Sequence, residues 1–229
     1  HVDFVPVCPE VECGFGVPRE AMRLVGDAES PKLMTTRTKV DLTGRMAAWA
    51  SKRVRELEEE GLCGFIFKSG SPSSGMERVK VYDEKGGGVK NGTGLFARAF
   101  MDHFPDVPVE DEGRLHDPVL RENFIERVFT FYRWSSLIRR ETPRIGAVLM
   151  FHTQNKLLIL SHSTRHYREM GRLVAGGKNM AGRELIRRYG SLLAAAMKMK
   201  ATPRKNANVL MHMMGYFKKE LSSWEKGEL

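Results

Sequence analysis

The sequence predicts an α/β domain, Rossmann-like with a parallel sheet, followed by an all-α helical bundle domain. Three observations predict it. Up to residue 116, short apolar runs alternate with helical periodicity, the strand–helix alternation that marks α/β folds. From Asp117 onward strand signals stop and apolar residues recur at helical spacing. Charge changes sign at the same place: residues 1–117 carry 16 Lys+Arg against 20 Asp+Glu, and residues 118–229 carry 21 against 8. The predicted domains are therefore 1–116, acidic, and 117–229, basic. The chain opens at His1-Val2-Asp3-Phe4, almost inside a predicted strand, so the first domain is expected to be incomplete at its N-terminus and the second at its C-terminus.

The first strand is predicted at Phe4-Val5-Pro6-Val7, running into Cys8-Pro9-Glu10. Gly14 to Arg19 is a loop by composition. Ala21 to Val25 is a short helical or extended piece, and Leu33 to Thr36 another strand. Asp41 or Thr43 can cap a helix whose apolar face carries Met46, Trp49, Ala50, Val54 and Leu57, with Gly61 suited to its C-terminal cap. Gly64-Phe65-Ile66-Phe67 reads as a buried strand ending in the polar loop Lys68-Ser69-Gly70-Ser71-Pro72-Ser73-Ser74-Gly75-Met76. Val79 to Tyr82 is extended, Asp83 to Gly92 a glycine-rich surface loop, and Gly94 to Phe104 a helix. Pro105 to Glu110 reads as a loop into an edge strand.

The second half is read as five helices. Asp117-Pro118 pairs an N-cap residue with proline at the first helical position, opening a helix to Arg140 that Glu141-Thr142-Pro143 interrupts. Further helices are predicted at 144–162, 164–175, 181–200 and 203–221.

Composition narrows function. Apolar content of 41% supports real cores. Three cysteines without an even framework argue against a disulfide scaffold and for a reducing, cytoplasmic compartment. Apolar runs such as Lys156 to Leu160 are far too short to cross a bilayer, so no membrane partner is expected. A formal charge of +9, concentrated in the second half, suits RNA, DNA or another polyanion, or simply a solvated basic surface.

Strand-end loops rich in small residues allow close backbone approach to a ligand. That singles out Cys8 and Glu10 on one loop and Ser71, Ser73 and Ser74 on the other. Glu10 can act as general acid or base, or accept hydrogen bonds from loop amides. Ser71 and Ser73 can hold a carbonyl or close the turn. Arg19 and Lys68 can meet an anion or lie on the surface. In the second half His152 and Lys156 share a helix face, as do Asn208, His212 and Tyr216. With Tyr167 and His162 they can converge on a pocket for a nucleotide or nucleobase, or form a satisfied buried network.

The motifs around these residues are similar to a known family. Cys8-Pro9-Glu10, Ser71 to Val79, and Gly113-Arg114-Leu115-His116-Asp117-Pro118 resemble the thiouracil desulfurase (TudS-like) domain. Phe151 to Leu158, Tyr167 to Gly171, and Asn206 to His212 resemble the YbgA-type helical domain to which it is fused in one subgroup. The resemblance implies a parallel sheet and a [4Fe–4S] cluster on three cysteines that takes sulfur from a thiolated pyrimidine. Of those cysteines only Cys8 stands at a matching position. The loop that would carry the first lies upstream of His1, and the third position is Ser74. Cys13, in a C-x4-C spacing with Cys8, is a possible replacement ligand or an ordinary loop thiol. Cys63 is expected at the far edge of the sheet as a buried apolar thiol. Thiolates hold iron–sulfur clusters, and a serine hydroxyl is a harder, weaker donor. The resemblance thus implies a desulfurase with a labile or lost cluster, against the alternative of a non-catalytic nucleic-acid-binding or interaction protein on the same scaffold.

Overall fold

A computed structural model describes residues 2–83, 85–139, 145–217, 221–222 and 224–225. The chain divides into two compact units, His1–Phe124 and Ile125–Leu229. The division falls inside a helix, eight residues beyond the predicted boundary.

The first unit begins with a four-residue helix, α1 (Pro9–Glu12), not with a strand. Residues 4–7 pair with nothing in a sheet among the described residues. Pro6 has no N–H to donate to a ladder, and apolar alternation alone does not make a strand. The strands are β1 (Met22–Val25), β2 (Lys32–Thr35), β3 (Phe65–Phe67), β4 (Val79–Tyr82), β5 (Gly88–Gly92) and β6 (Val109–Asp111). One sheet has the order β2-β1-β4-β5, and β3 pairs with β6 in a second. The sheet architecture is mixed. β1–β4 and β3–β6 are parallel, as expected, while β2 on β1 and β5 on β4 are antiparallel. Strand β5 lies in the stretch expected to be a surface loop. Its glycines do not stop it pairing, because β4 supplies the ladder from Val79↔Gly92 to Tyr82↔Gly88.

Two helices complete the unit, α2 (Thr43–Glu56) and α3 (Leu95–His103). At the start of α2 the Asp41 carboxylate accepts from the Thr43 N–H at 2.9 Å. Helix α2 ends before the acidic run, and Gly61 takes its positive φ of 62° in a turn beyond it. An aromatic cluster joins strand to helix: Phe65 lies 4.4 Å from Phe100 and 4.6 Å from Phe67 between ring centroids, and Trp49 lies 5.3 Å from Phe96. Phe67, Phe96 and Phe100 are fully buried; each such side chain contributes about 1.5–3 kcal/mol by leaving water.

The region after Pro118 is helical, with no strand among the described residues: α4 (Pro118–Ile138), α5 (Ile145–His162), α6 (Thr164–Ala175), α7 (Gly182–Met197) and α8 (Pro203–Phe217). Asp117 caps α4, its Oδ1 accepting from the Val119 and Leu120 N–H groups at 2.8 and 3.2 Å. The expected break at 141–143 lies outside the described residues. Trp134, Phe151, Ile159, Met170, Leu185, Tyr189 and Leu193 form the core of the second unit.

Candidate functional site

Two segments far apart in sequence meet in the first unit. Cys8 is the N-cap residue of α1, and its backbone N–H donates to Glu12 Oε1 at 2.8 Å. Glu12 in turn meets Arg53 of α2 at 3.0 Å. Glu10, the second residue of α1, accepts from Ser73 Oγ at 2.8 Å through one oxygen. Its other oxygen pairs with Arg19, with Nε at 2.6 Å and Nη2 at 2.5 Å. The Cys8 segment and the serine loop thus face one another, but Cys8 stands on a helix cap rather than at a strand tip. A hollow of about 360 Å³ opens beside them, lined by Glu10, Arg19, Glu20, Ala21, Met22 and Pro72.

The serine loop is held from within and from below. Ser71 Oγ lies 3.0 Å from Ser73 Oγ and accepts from the N–H groups of Ser73 and Ser74 at 3.3 and 3.1 Å. The Gly75 N–H donates to the Ser71 carbonyl at 2.8 Å. Ser71 therefore closes the turn, and a chain of polar contacts runs Ser71, Ser73, Glu10, Arg19. Ser73 and Ser74 are both buried. Beneath the loop, the Ser73 carbonyl accepts from Phe96 and Ala97, the Pro72 carbonyl from Leu95, and the Gly75 carbonyl from Gly94. These are the amides at the start of α3 that its own turns leave unpaired. Only glycine fits at 94: a Cβ there would lie 2.5 Å from the Ser73 carbonyl oxygen.

The other expected ligands do not converge here. Cys8 is exposed, but Cys13 is buried. Burial pushes the Cys13 thiol up from its ordinary value, against a smaller opposing pull from Arg45, so the neutral thiol is favoured over a ligating thiolate. Cys63 is only half-buried, its thiol donating to the Gly61 carbonyl at 3.4 Å. Among the described residues no group of three or more His, Cys, Asp or Glu side chains is placed to hold a metal ion. Lys68 pairs with Glu112 and Arg19 with Glu10, so neither cation is free.

In the second unit the five expected residues take different surroundings, Tyr167 and His212 meeting each other while His152 faces the core. His152 is buried, with Nδ1 3.1 Å from the Tyr189 hydroxyl. Burial, helped by the Lys156 charge, holds it below the ordinary imidazole value. Lys156 stands 5.3 Å over the Tyr216 ring, and Tyr167 meets His212 edge-on at 6.4 Å. Lys156 is held above its ordinary value, chiefly by the Tyr216 hydroxyl. Asn208 is on an exposed turn of α8. His162 is fully buried and donates from Nδ1 to the Met199 carbonyl at 2.5 Å. Its Nε2 lies 3.2 Å from Glu126 without a well-directed hydrogen bond.

Sequence reasoning weighed Glu10, Arg19 and Ser73 separately but missed that they form one chain of contacts. It quoted Arg114 within a motif but gave it no role; Arg114 joins Glu110 and Glu77, each at 2.7 Å. The crowding of charge in Glu77-Arg78-Val79-Lys80 was the available signal.

The fold and these contacts define a two-part protein: a mixed α/β unit with a serine loop facing a Cys-Pro-Glu helix, then a helical unit. Residues 1–112 match the family described as 2-thiouracil desulfurase, and residues 156–229 match a protein family of unknown function, DUF1722. Over 104 residues the chain is 32% identical to the uncharacterized protein YbgA of Escherichia coli (strain K12), covering 45% of this chain and 61% of that protein. The chain thus spans less than two thirds of that relative's length. A solved [4Fe-4S]-dependent thiouracil desulfidase, TudS, aligns with 50% of this chain and 71% of its own, at 24% identity and a TM-score of 0.39. These matches support the fusion its motifs led us to expect, a 2-thiouracil desulfurase-type domain followed by a YbgA-type domain.

Proposed function

We propose that the first unit is a desulfurase-type domain that seats a thiolated pyrimidine, as base or nucleotide, where α1 meets the serine loop. The observation that carries this is the Glu10–Ser73 hydrogen bond of 2.8 Å, which joins the two family motifs across 63 residues. On this reading Ser71 and Ser73 present hydroxyls to the polar edge of the heterocycle, and Glu10, oriented by Arg19, is the group that moves a proton there. The Rossmann-like arrangement and a cytoplasmic location belong to the same reading. Their support is the two parallel strand pairs and the three free cysteines.

The donor set does not fit a cluster on three thiolates. Cys8 is the one thiol on the Glu10–Ser73 junction, Ser74 offers a hydroxyl, and Cys13 is buried as a thiol. Binding is therefore expected to outlast turnover. The test follows 2-thiouracil binding and sulfide release in the full-length protein and its Ser74→Cys variant after anaerobic incubation with iron and sulfide. The unaltered protein is expected to bind 2-thiouracil and release little sulfide. The variant is expected to gain cluster absorbance and sulfide release. Failure of both proteins to bind 2-thiouracil would remove the reading.

A second reading rests on the 21 Lys+Arg against 8 Asp+Glu in residues 118–229. In it the helical unit binds RNA or DNA and the first unit is a non-catalytic scaffold. Its affinity should fall about a thousandfold or more between roughly 50 and 200 mM salt if six or more phosphates are contacted. A flat salt response would count against it.

A further inference from the structure

We propose that the first unit carries a second ligand site, one for a phosphoryl group, in the hollow at the carboxyl ends of β3 and β6. The two strands are parallel and end in register, Phe67 opposite Asp111. Ligands of open α/β sheets collect at this end of parallel strands. The hollow has a volume of about 470 Å³, and Ser69, Gly70, Arg78, Lys80, Lys90 and Arg114 are on its wall. Two acids share the wall, and both are already engaged. Glu77 pairs with Arg114 at 2.7 Å, and Asp111 Oδ1 accepts from the Gly113 N–H at 2.8 Å.

The remaining cations are arranged against their own stability. Lys80 and Lys90 are direct register partners on β4 and β5, and like charges placed opposite each other across strands repel. Among the described residues Arg78, Lys80 and Lys90 have no acidic partner. Arg78 holds a left-handed φ of 54°, unusual for a residue with a Cβ. A register shift between Val79 and Lys80 follows at once, and such bulges re-aim side chains beside binding sites. The Lys80 stem lies over Gly88, and its ammonium sits 4.7 Å from the centre of the Tyr82 ring, which orients it. All this occurs in the half of the chain that is net acidic, with 16 Lys+Arg against 20 Asp+Glu in residues 1–117. A phosphoryl dianion meets each of these features: it neutralises the repelling lysines, takes a guanidinium from Arg78, and accepts from the Ser69 hydroxyl and loop amides.

The site does not depend on the desulfurase reading, and its test is separate from that one. The full chain, labelled with nitrogen-15, is titrated at constant ionic strength with inorganic phosphate, then with uridine monophosphate, then with uridine. Saturable shifts of the amides of Ser69, Gly70, Lys80 and Lys90 are expected with phosphate. Equal or tighter binding of uridine monophosphate, with none of uridine, identifies a nucleotide as the source; tighter binding of phosphate identifies the free anion. The double variant Lys80→Gln/Lys90→Gln is expected to weaken binding by about tenfold or more, and Arg78→Gln provides the same check outside the strands. Absence of a saturable shift with either phosphate compound, or unchanged affinity in a folded variant, overturns the proposal.

Discussion

The two units bury polar side chains in different settings. In the α/β unit the buried Ser73 hydroxyl answers to Glu10 across a loop that borders open hollows. In the helical unit the buried groups answer to one another inside an apolar core. His152 pairs with Tyr189, and Asn155 donates to the Phe151 carbonyl at 2.8 Å while accepting from Arg133 at 3.3 Å. Both patterns satisfy the cost of burying polar atoms. Only the first leaves its partners where a ligand can replace them. A buried histidine at helical spacing is therefore weaker evidence of a site than a buried serine on a loop.

Three experiments bear on that contrast. The largest effect is expected from Gly94→Ala. Its Cβ would meet backbone of Ser73 at 2.5 Å rather than a yielding side chain, so the loop must move, at about 2–3 kcal/mol. Chemical denaturation should show the loss, and 2-thiouracil affinity should fall with it. Unchanged affinity would mean that the loop does not form the site. Tyr189→Phe comes next. It leaves His152 Nδ1 without its partner in the core and should cost about 1 kcal/mol, with no change in any ligand affinity. An altered nucleic-acid affinity would place function in that core after all.

The smallest effect is the dependence on pH. Burial holds His152 and His166 below the ordinary imidazole value of 6.5. The unfolded chain therefore binds protons that the folded unit does not as pH falls from about 6.5. Stability is greatest above that value and declines below it, toward the lower folded values. The melting midpoint should fall between about pH 7.5 and 5.5, and His152→Gln should flatten the decline. A midpoint that rises on acidification would contradict the assignment.

Punctuation made the helical half legible. Asp117-Pro118 fixes a helix start by rules local to the chain, and the helix at 164–175 falls where expected. The α/β half was harder because its strands depend on distant partners. Val5-Pro6-Val7 alternates like a strand yet finds no ladder, while Gly88–Gly92 reads as loop yet pairs with β4. In β5 the first four residues are exposed, so no apolar pattern marked it. The site was legible as motifs but not as contacts. Nothing local links Glu10 to Ser73, or assigns Arg19 to Glu10 rather than to a ligand. Among the helical candidates, spacing could not say which residue faced the core. His152 does, and Asn208 does not.

The carbonyls of Pro72, Ser73 and Gly75 already occupy the opening amides of α3. A helix start is often where an enzyme cradles an oxyanion, but here that cradle is filled by the chain itself. On the proposed reading, a ligand beside Glu10 should be an uncharged heterocycle rather than an acid, because an added carboxylate would meet Glu10 and find the start of α3 already taken.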